Sequence, residues 1–84
     1  MGYLLYGKAD CKFCESAKSL LDAKGKKYIY KQIGVDTTKE ELMEYCKEFG
    51  VIPRTVPQIF CDTWGEMDYI GGFEDLQKAI KFDN

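Results

Sequence analysis

Tyr3-Leu4-Leu5-Tyr6-Gly7-Lys8-Ala9-Asp10-Cys11-Lys12-Phe13-Cys14 joins a short apolar run to two thiols two residues apart, and residues 15–24 continue it with a helix-like pattern. A strand that ends, a tight turn and a helix beginning on the cysteines present a Cys-x-x-Cys pair as a redox motif. Asp10 is a good N-cap residue, which predicts Cys11 in the first turn of the helix. There, unpaired N–H groups and the positive end of the helix dipole favour a thiolate. Lys8 and Lys12 act in the same direction and Asp10 opposes them. Cys14 falls almost one turn further in, so Cys11 is the expected nucleophile and Cys14 the resolving thiol.

A zinc half-site and a structural cysteine pair are the alternatives. The chain has no histidine, and Cys46 and Cys61 do not form a second close pair. No metal is therefore expected, and Cys46 and Cys61 are expected to be buried as small hydrophobes. The 84 residues predict one domain over 1–84 with a single core. A net charge of -2 with both signs interspersed argues against nucleic acid as a partner. No run is long enough to cross a membrane and the N-terminus does not resemble a secretory signal. Four cysteines without such a signal point to a reducing, cytoplasmic compartment.

Periodicity predicts strands over 2–6, 27–33, 58–61 and 67–70 and helices over 11–24, 39–49 and 73–82. Gly25 and Gly50 are stop signals, and Thr37 or Thr38 can cap the second helix. Ala17, Leu20 and Leu21 form the buried stripe of the first helix, with Lys18 and Asp22 outside; Phe73, Leu76, Ala79 and Ile80 form that of the third. The segment 62–66 closes a hairpin, with Trp64 expected as a packed turn aromatic. The order β-α-β-α-β-β-α implies an α/β fold, a mixed four-stranded sheet flanked by helices, with a right-handed crossover between the first two strands.

Two further stretches stand out. Thr55-Val56-Pro57 puts a proline at the mouth of an internal strand, where base rates favour a trans bond. Gly71-Gly72-Phe73-Glu74-Asp75 puts two glycines before a helix with two carboxylates in its first turn, an arrangement a simple turn and dipole pairing would also explain.

With Cys11-x-x-Cys14, Thr55-Val56-Pro57-Gln58-Ile59-Phe60 and Ile70-Gly71-Gly72-Phe73 followed by Asp75-Leu76, the chain resembles the glutaredoxins of the thioredoxin superfamily, and among them the small bacterial or phage members. The resemblance spans nearly the whole chain. It implies a thioredoxin-like fold, a cis Pro57 beside the cysteines, and a groove in which the Val56 backbone pairs with glutathione as an added strand would. Gly72, Phe73, Glu74 and Asp75 would meet the γ-glutamyl end, and Lys8 the glycine carboxylate, with Lys12 and Arg54 as further cations. Thr55 and Pro57 would border the groove and Phe13 would form one wall. The sequence departs from the family's usual Pro-Tyr between the cysteines, which are Lys12 and Phe13 here, and from its Ser or Asp at Glu74.

The resemblance implies a glutathione-dependent thiol-disulfide oxidoreductase, monomeric, acting on disulfide-containing or glutathionylated proteins, with ribonucleotide reductase as a candidate acceptor. It would work in the cytoplasm of a bacterium, or of a host cell if phage-encoded. The rival readings are the same fold fed by thioredoxin reductase, a [2Fe-2S] carrier using Cys11 and glutathione, and a zinc module.

Overall fold

The structure, a computed structural model, describes residues 2–82. The chain runs β1 (Gly2–Gly7), α1 (Lys12–Ala23), β2 (Tyr28–Gln32), α2 (Lys39–Lys47), β3 (Gln58–Thr63), β4 (Glu66–Gly71) and α3 (Phe73–Phe82). The sheet order is β2-β1-β3-β4. β1 pairs parallel with β2 and antiparallel with β3, and β4 lies antiparallel to β3. This is the element order and mixed sheet that the periodicity predicts.

Alternation along the central strands sends side chains to two faces. Tyr3, Leu5 and Ile59 pack with Ala17 and Leu21 of α1 and Leu76 and Ile80 of α3. Tyr6 and Phe60 pack on the other face with Leu42 and Cys46 of α2. An aromatic set gathers there: Phe60 has the rings of Tyr6, Tyr45, Phe49 and Tyr69 within 5.9 Å of its own, centroid to centroid. The two clusters clamp β1 and β3, so the loops at one end of those strands are held from both sides.

Some boundaries and exposures differ from expectation. α2 ends at Lys47, not Phe49, and tightens through Glu48 N–H to Tyr45 O and Phe49 N–H to Cys46 O before Gly50 turns out at φ 71. β3 and β4 are longer than predicted and meet in a two-residue turn, with Trp64 at φ 56 and Gly65 at φ 84. Paired positive φ values suit the twist of a hairpin. Trp64 is not packed in that turn but 98% exposed, because a left-handed residue at a two-residue tip projects beyond both sheet faces. Ala79 is exposed, since Leu76 and Ile80 alone align with Phe73 along the buried stripe of α3. Lys18 is half-buried, its Nζ lying 4.2 Å from the centroid of the Tyr30 ring. Cys46 is buried as expected, whereas Cys61 is half-buried and contacts Thr63 Oγ1 at 3.4 Å.

Candidate active site

The loop between β1 and α1 carries the two cysteines. Asp10 does not cap the helix: it takes up φ 55, a left-handed conformation that Asp tolerates. Cys11 is itself the N-cap, extended at φ -108 and ψ 109, and its Sγ accepts the N–H of Cys14 at 3.2 Å. The sulfur thus occupies the place that a capping oxygen would take, within reach of the first-turn donors. Cys11 and Cys14 are joined as a disulfide, with Cα atoms 5.2 Å apart. Cys14 is fully buried and Cys11 is 9% exposed, so attack from solvent reaches Cys11 first.

Gly7, the last residue of β1, makes room for this pair. A Cβ there would lie 2.9 Å from Cys14 Sγ and would collide with the Tyr30 phenol. The Tyr30 hydroxyl donates to the Lys8 carbonyl at 3.5 Å.

The segment before β3 runs alongside. The Val56–Pro57 bond is cis, as the resemblance implied, and the Val56 carbonyl lies 3.9 Å from Cys11 Sγ. Gln58 fixes the segment by donating to the Thr55 carbonyl at 2.7 Å while its Oε1 accepts the Tyr69 hydroxyl at 2.7 Å. Sequence reasoning did not assign Gln58 and Tyr69 to the site, because the pairing that brings β4 to β3 is not written in either strand alone.

Two grooves meet along Thr55 and Val56. One, of about 270 Å³, is lined by Lys8, Lys39 and Arg54 and by apolar side chains including Leu42, Met43 and Pro53. The other, of about 510 Å³, is lined by Phe13, Pro57, Gln58, Tyr69 and the 72–75 segment. Both volumes are of the order of small-molecule sites. Phe13, 59% exposed, faces Phe73 with ring centroids 6.1 Å apart. Of the residues expected around the cysteines, Lys12 alone lines neither groove. Lys39 is the cation the sequence reading missed; its position as the first residue of α2, after the Thr38 cap, is the signal that could have found it.

Gly71 and Asp75 shape the far end of the second groove. Gly71 sits at φ 126, and the Asp75 carboxylate fills the space a Cβ would need. Asp75 Oδ2 accepts the Gly72 N–H at 3.1 Å, and the Gly72 carbonyl accepts the Leu76 N–H at 3.0 Å. Asp75 is therefore held as a cap, while Glu74 is exposed at the groove.

Among the described residues, no group of three or more His, Cys, Asp or Glu could hold a metal ion, and no helix is long and apolar enough to cross a membrane.

Comparison with known proteins agrees with this geometry. The glutaredoxin family pattern matches residues 4–63. Glutaredoxin 1 of Rickettsia prowazekii is 40% identical over 74 residues, covering 87% of this chain and 70% of the relative. Glutaredoxin 3 of Escherichia coli K12 is 36% identical over 72 residues, covering 86% and 77%. Among solved structures, glutaredoxin 1 of Francisella tularensis superposes with a TM-score of 0.74 at 20% identity, over 98% of this chain and 94% of its own. A buckwheat glutaredoxin–glutathione complex gives 0.73 at 22%, over 96% and 69%. With its cysteine pair at the head of α1 and its thioredoxin-like sheet, the chain belongs to the glutaredoxin family of thiol-disulfide oxidoreductases.

Proposed function

We propose that the protein reduces glutathione mixed disulfides and protein disulfides through Cys11 and Cys14, with glutathione as the electron source. The observation that carries this reading is the pair of grooves meeting at Val56 beside Cys11, with unlike charges at their far ends. Lys8, Lys39 and Arg54 suit the glycine carboxylate of glutathione. The first turn of α3, at the positive end of the helix dipole and with the exposed Glu74, suits the carboxylate and ammonium of the γ-glutamyl end. Thr55, Val56 and Pro57 lie between them, where the tripeptide backbone would add as a strand and deliver its sulfur to Cys11. Phe13 and Phe73 supply the apolar wall. Asp75 contributes by fixing Gly72. Lys12, outside both grooves, contributes charge only.

Cys11 thiolate attacks the glutathione sulfur of a mixed disulfide. A Cys11–glutathione bond forms, and the substrate protein leaves as a thiolate and takes a proton from solvent. A second glutathione thiolate attacks that sulfur, freeing Cys11 and leaving oxidised glutathione. With a protein disulfide, Cys14 attacks Cys11 in the mixed disulfide and expels the substrate thiolate. The resulting Cys11–Cys14 disulfide is reopened by two glutathiones.

The test is a coupled assay with glutathione, glutathione reductase, NADPH and a small glutathione mixed disulfide. Turnover that disappears in Cys11→Ser is expected. A silent wild type that turns over once thioredoxin reductase replaces the glutathione system would overturn the choice of reductant.

A further inference from the structure

Tyr30 lies outside every motif described, yet its phenol and the buried Cys14 sulfur border the same space beside Gly7. A Cβ placed on Gly7 would be 2.9 Å from Cys14 Sγ and 2.9 Å from Tyr30 Cε1, with the Tyr30 hydroxyl closer still. The phenol and the Cys14 sulfur therefore flank the space that a side chain at position 7 would take. Lys18 covers the ring face at 4.2 Å and is itself paired with Glu15 at 2.6 Å. The hydroxyl's present bond, to the Lys8 carbonyl at 3.5 Å, is at the long limit and is easily exchanged.

Cys14 has a problem that Cys11 does not. When the disulfide opens, the electron pair leaves on a sulfur with no solvent exposure. A buried anion without a donor is costly. The N–H of Cys14 already serves Cys11 Sγ. We propose that the Tyr30 hydroxyl is the donor to Cys14, turning from the Lys8 carbonyl to the Cys14 sulfur as the Cys11–Cys14 bond breaks.

In the reductive direction an incoming thiolate bonds to Cys11 Sγ, the Cys11–Cys14 bond breaks, and Cys14 departs as a thiolate hydrogen-bonded to Tyr30. It then takes its proton from solvent. In the resolving direction the same hydrogen bond lowers the cost of ionising Cys14 before it attacks Cys11. Tyr30 keeps its proton throughout. Burial raises its phenol above the ordinary value, and the charges that face it are Lys18, Glu15 and Asp36.

This inference rests on the thiol-disulfide reading but not on glutathione as reductant, so the test uses dithiothreitol. Tyr30→Phe keeps the ring that Lys18 covers and removes only the hydroxyl. Reduction of the oxidised variant, followed by quenching, alkylation and mass analysis, is expected to be roughly three- to tenfold slower than in wild type, as loss of one ordinary hydrogen bond would give. In a Cys11→Ser background, alkylation of Cys14 is expected to require a higher pH once Tyr30 is Phe. In a Cys14→Ser background, turnover of a glutathione mixed disulfide is expected to be unchanged by Tyr30→Phe. Equal reduction rates and an unmoved alkylation midpoint would overturn the inference. So would slowing of the Cys14→Ser turnover to the same extent, which would mark Tyr30 as merely structural. Absent glutathione turnover with a normal Tyr30 effect would bring down the reductant alone.

Discussion

Cys11 does two jobs with one atom. Its sulfur caps α1 and is also the less buried end of the disulfide. The two roles separate on substitution. Cys11→Ser leaves an oxygen able to cap, so activity is expected to vanish while the urea midpoint, compared with wild type under reducing conditions, barely moves. Cys11→Ala removes the cap as well and is expected to cost about 1 kcal/mol more in urea unfolding. Cys14→Ser is expected to retain turnover of small glutathione mixed disulfides and to lose reduction of protein disulfides, because only the latter needs an internal thiol to expel the substrate; equal loss of both would refute this division. Gly7→Ala is expected to destabilise the fold and slow disulfide opening, since its methyl would displace either the Tyr30 phenol or the Cys14 sulfur. The cysteine pair and the groove motifs were legible from residue type and spacing. The cap was not, because which of two adjacent residues caps depends on Asp10 turning left-handed, and that is set by the loop's path and not by capping preference.

Among the elements, α2 and the strands facing it carry an unusual load of hydroxyls for a core. Tyr6, Tyr45 and Tyr69 all contact the Phe60 or Tyr45 rings, and burial raises each phenol above its ordinary value of 10.0. Burial likewise raises the Cys46 thiol above 9.0. As pH climbs through those ordinary values the unfolded chain releases protons that the folded chain still holds, so stability falls. The urea midpoint is therefore expected to fall as pH rises past 9.0 and more steeply past 10.0, and Tyr6→Phe is expected to blunt the fall. A midpoint indifferent to alkali would refute the account. Phe60→Ala at the centre of this set is expected to cost roughly 3–5 kcal/mol. The apolar pattern sufficed to find every strand and helix, because each helix has one apolar side and the central strands β1 and β3 are apolar on both. It failed at Ala79, whose small side chain fits either face, and at the hairpin, where Thr63 and Glu66 pair across a turn tighter than the polar run 62–66 suggests.

Across the whole molecule, the fold gathers cations from three separated stretches, Lys8 after β1, Lys39 at the start of α2 and Arg54 before β3, around one groove. Lys39→Glu is expected to raise the KM for glutathione several-fold with little change in kcat, because a binding charge is inverted without touching the reacting sulfurs; an unchanged KM at low ionic strength would exclude Lys39 from the site. The hairpin tip lies at the other end of β3, six strand residues from Pro57, or about 20 Å. Trp64 is the chain's one tryptophan and is 98% exposed there. Its indole is already in water, so native emission should be red-shifted and nearly the same as in the unfolded chain. It is also too far from the disulfide to be quenched by it. Tryptophan fluorescence will thus be almost blind both to unfolding and to the redox state, and a flat trace must not be taken for an unreactive or unfolded protein; backbone circular dichroism and thiol counting are the signals that follow these changes.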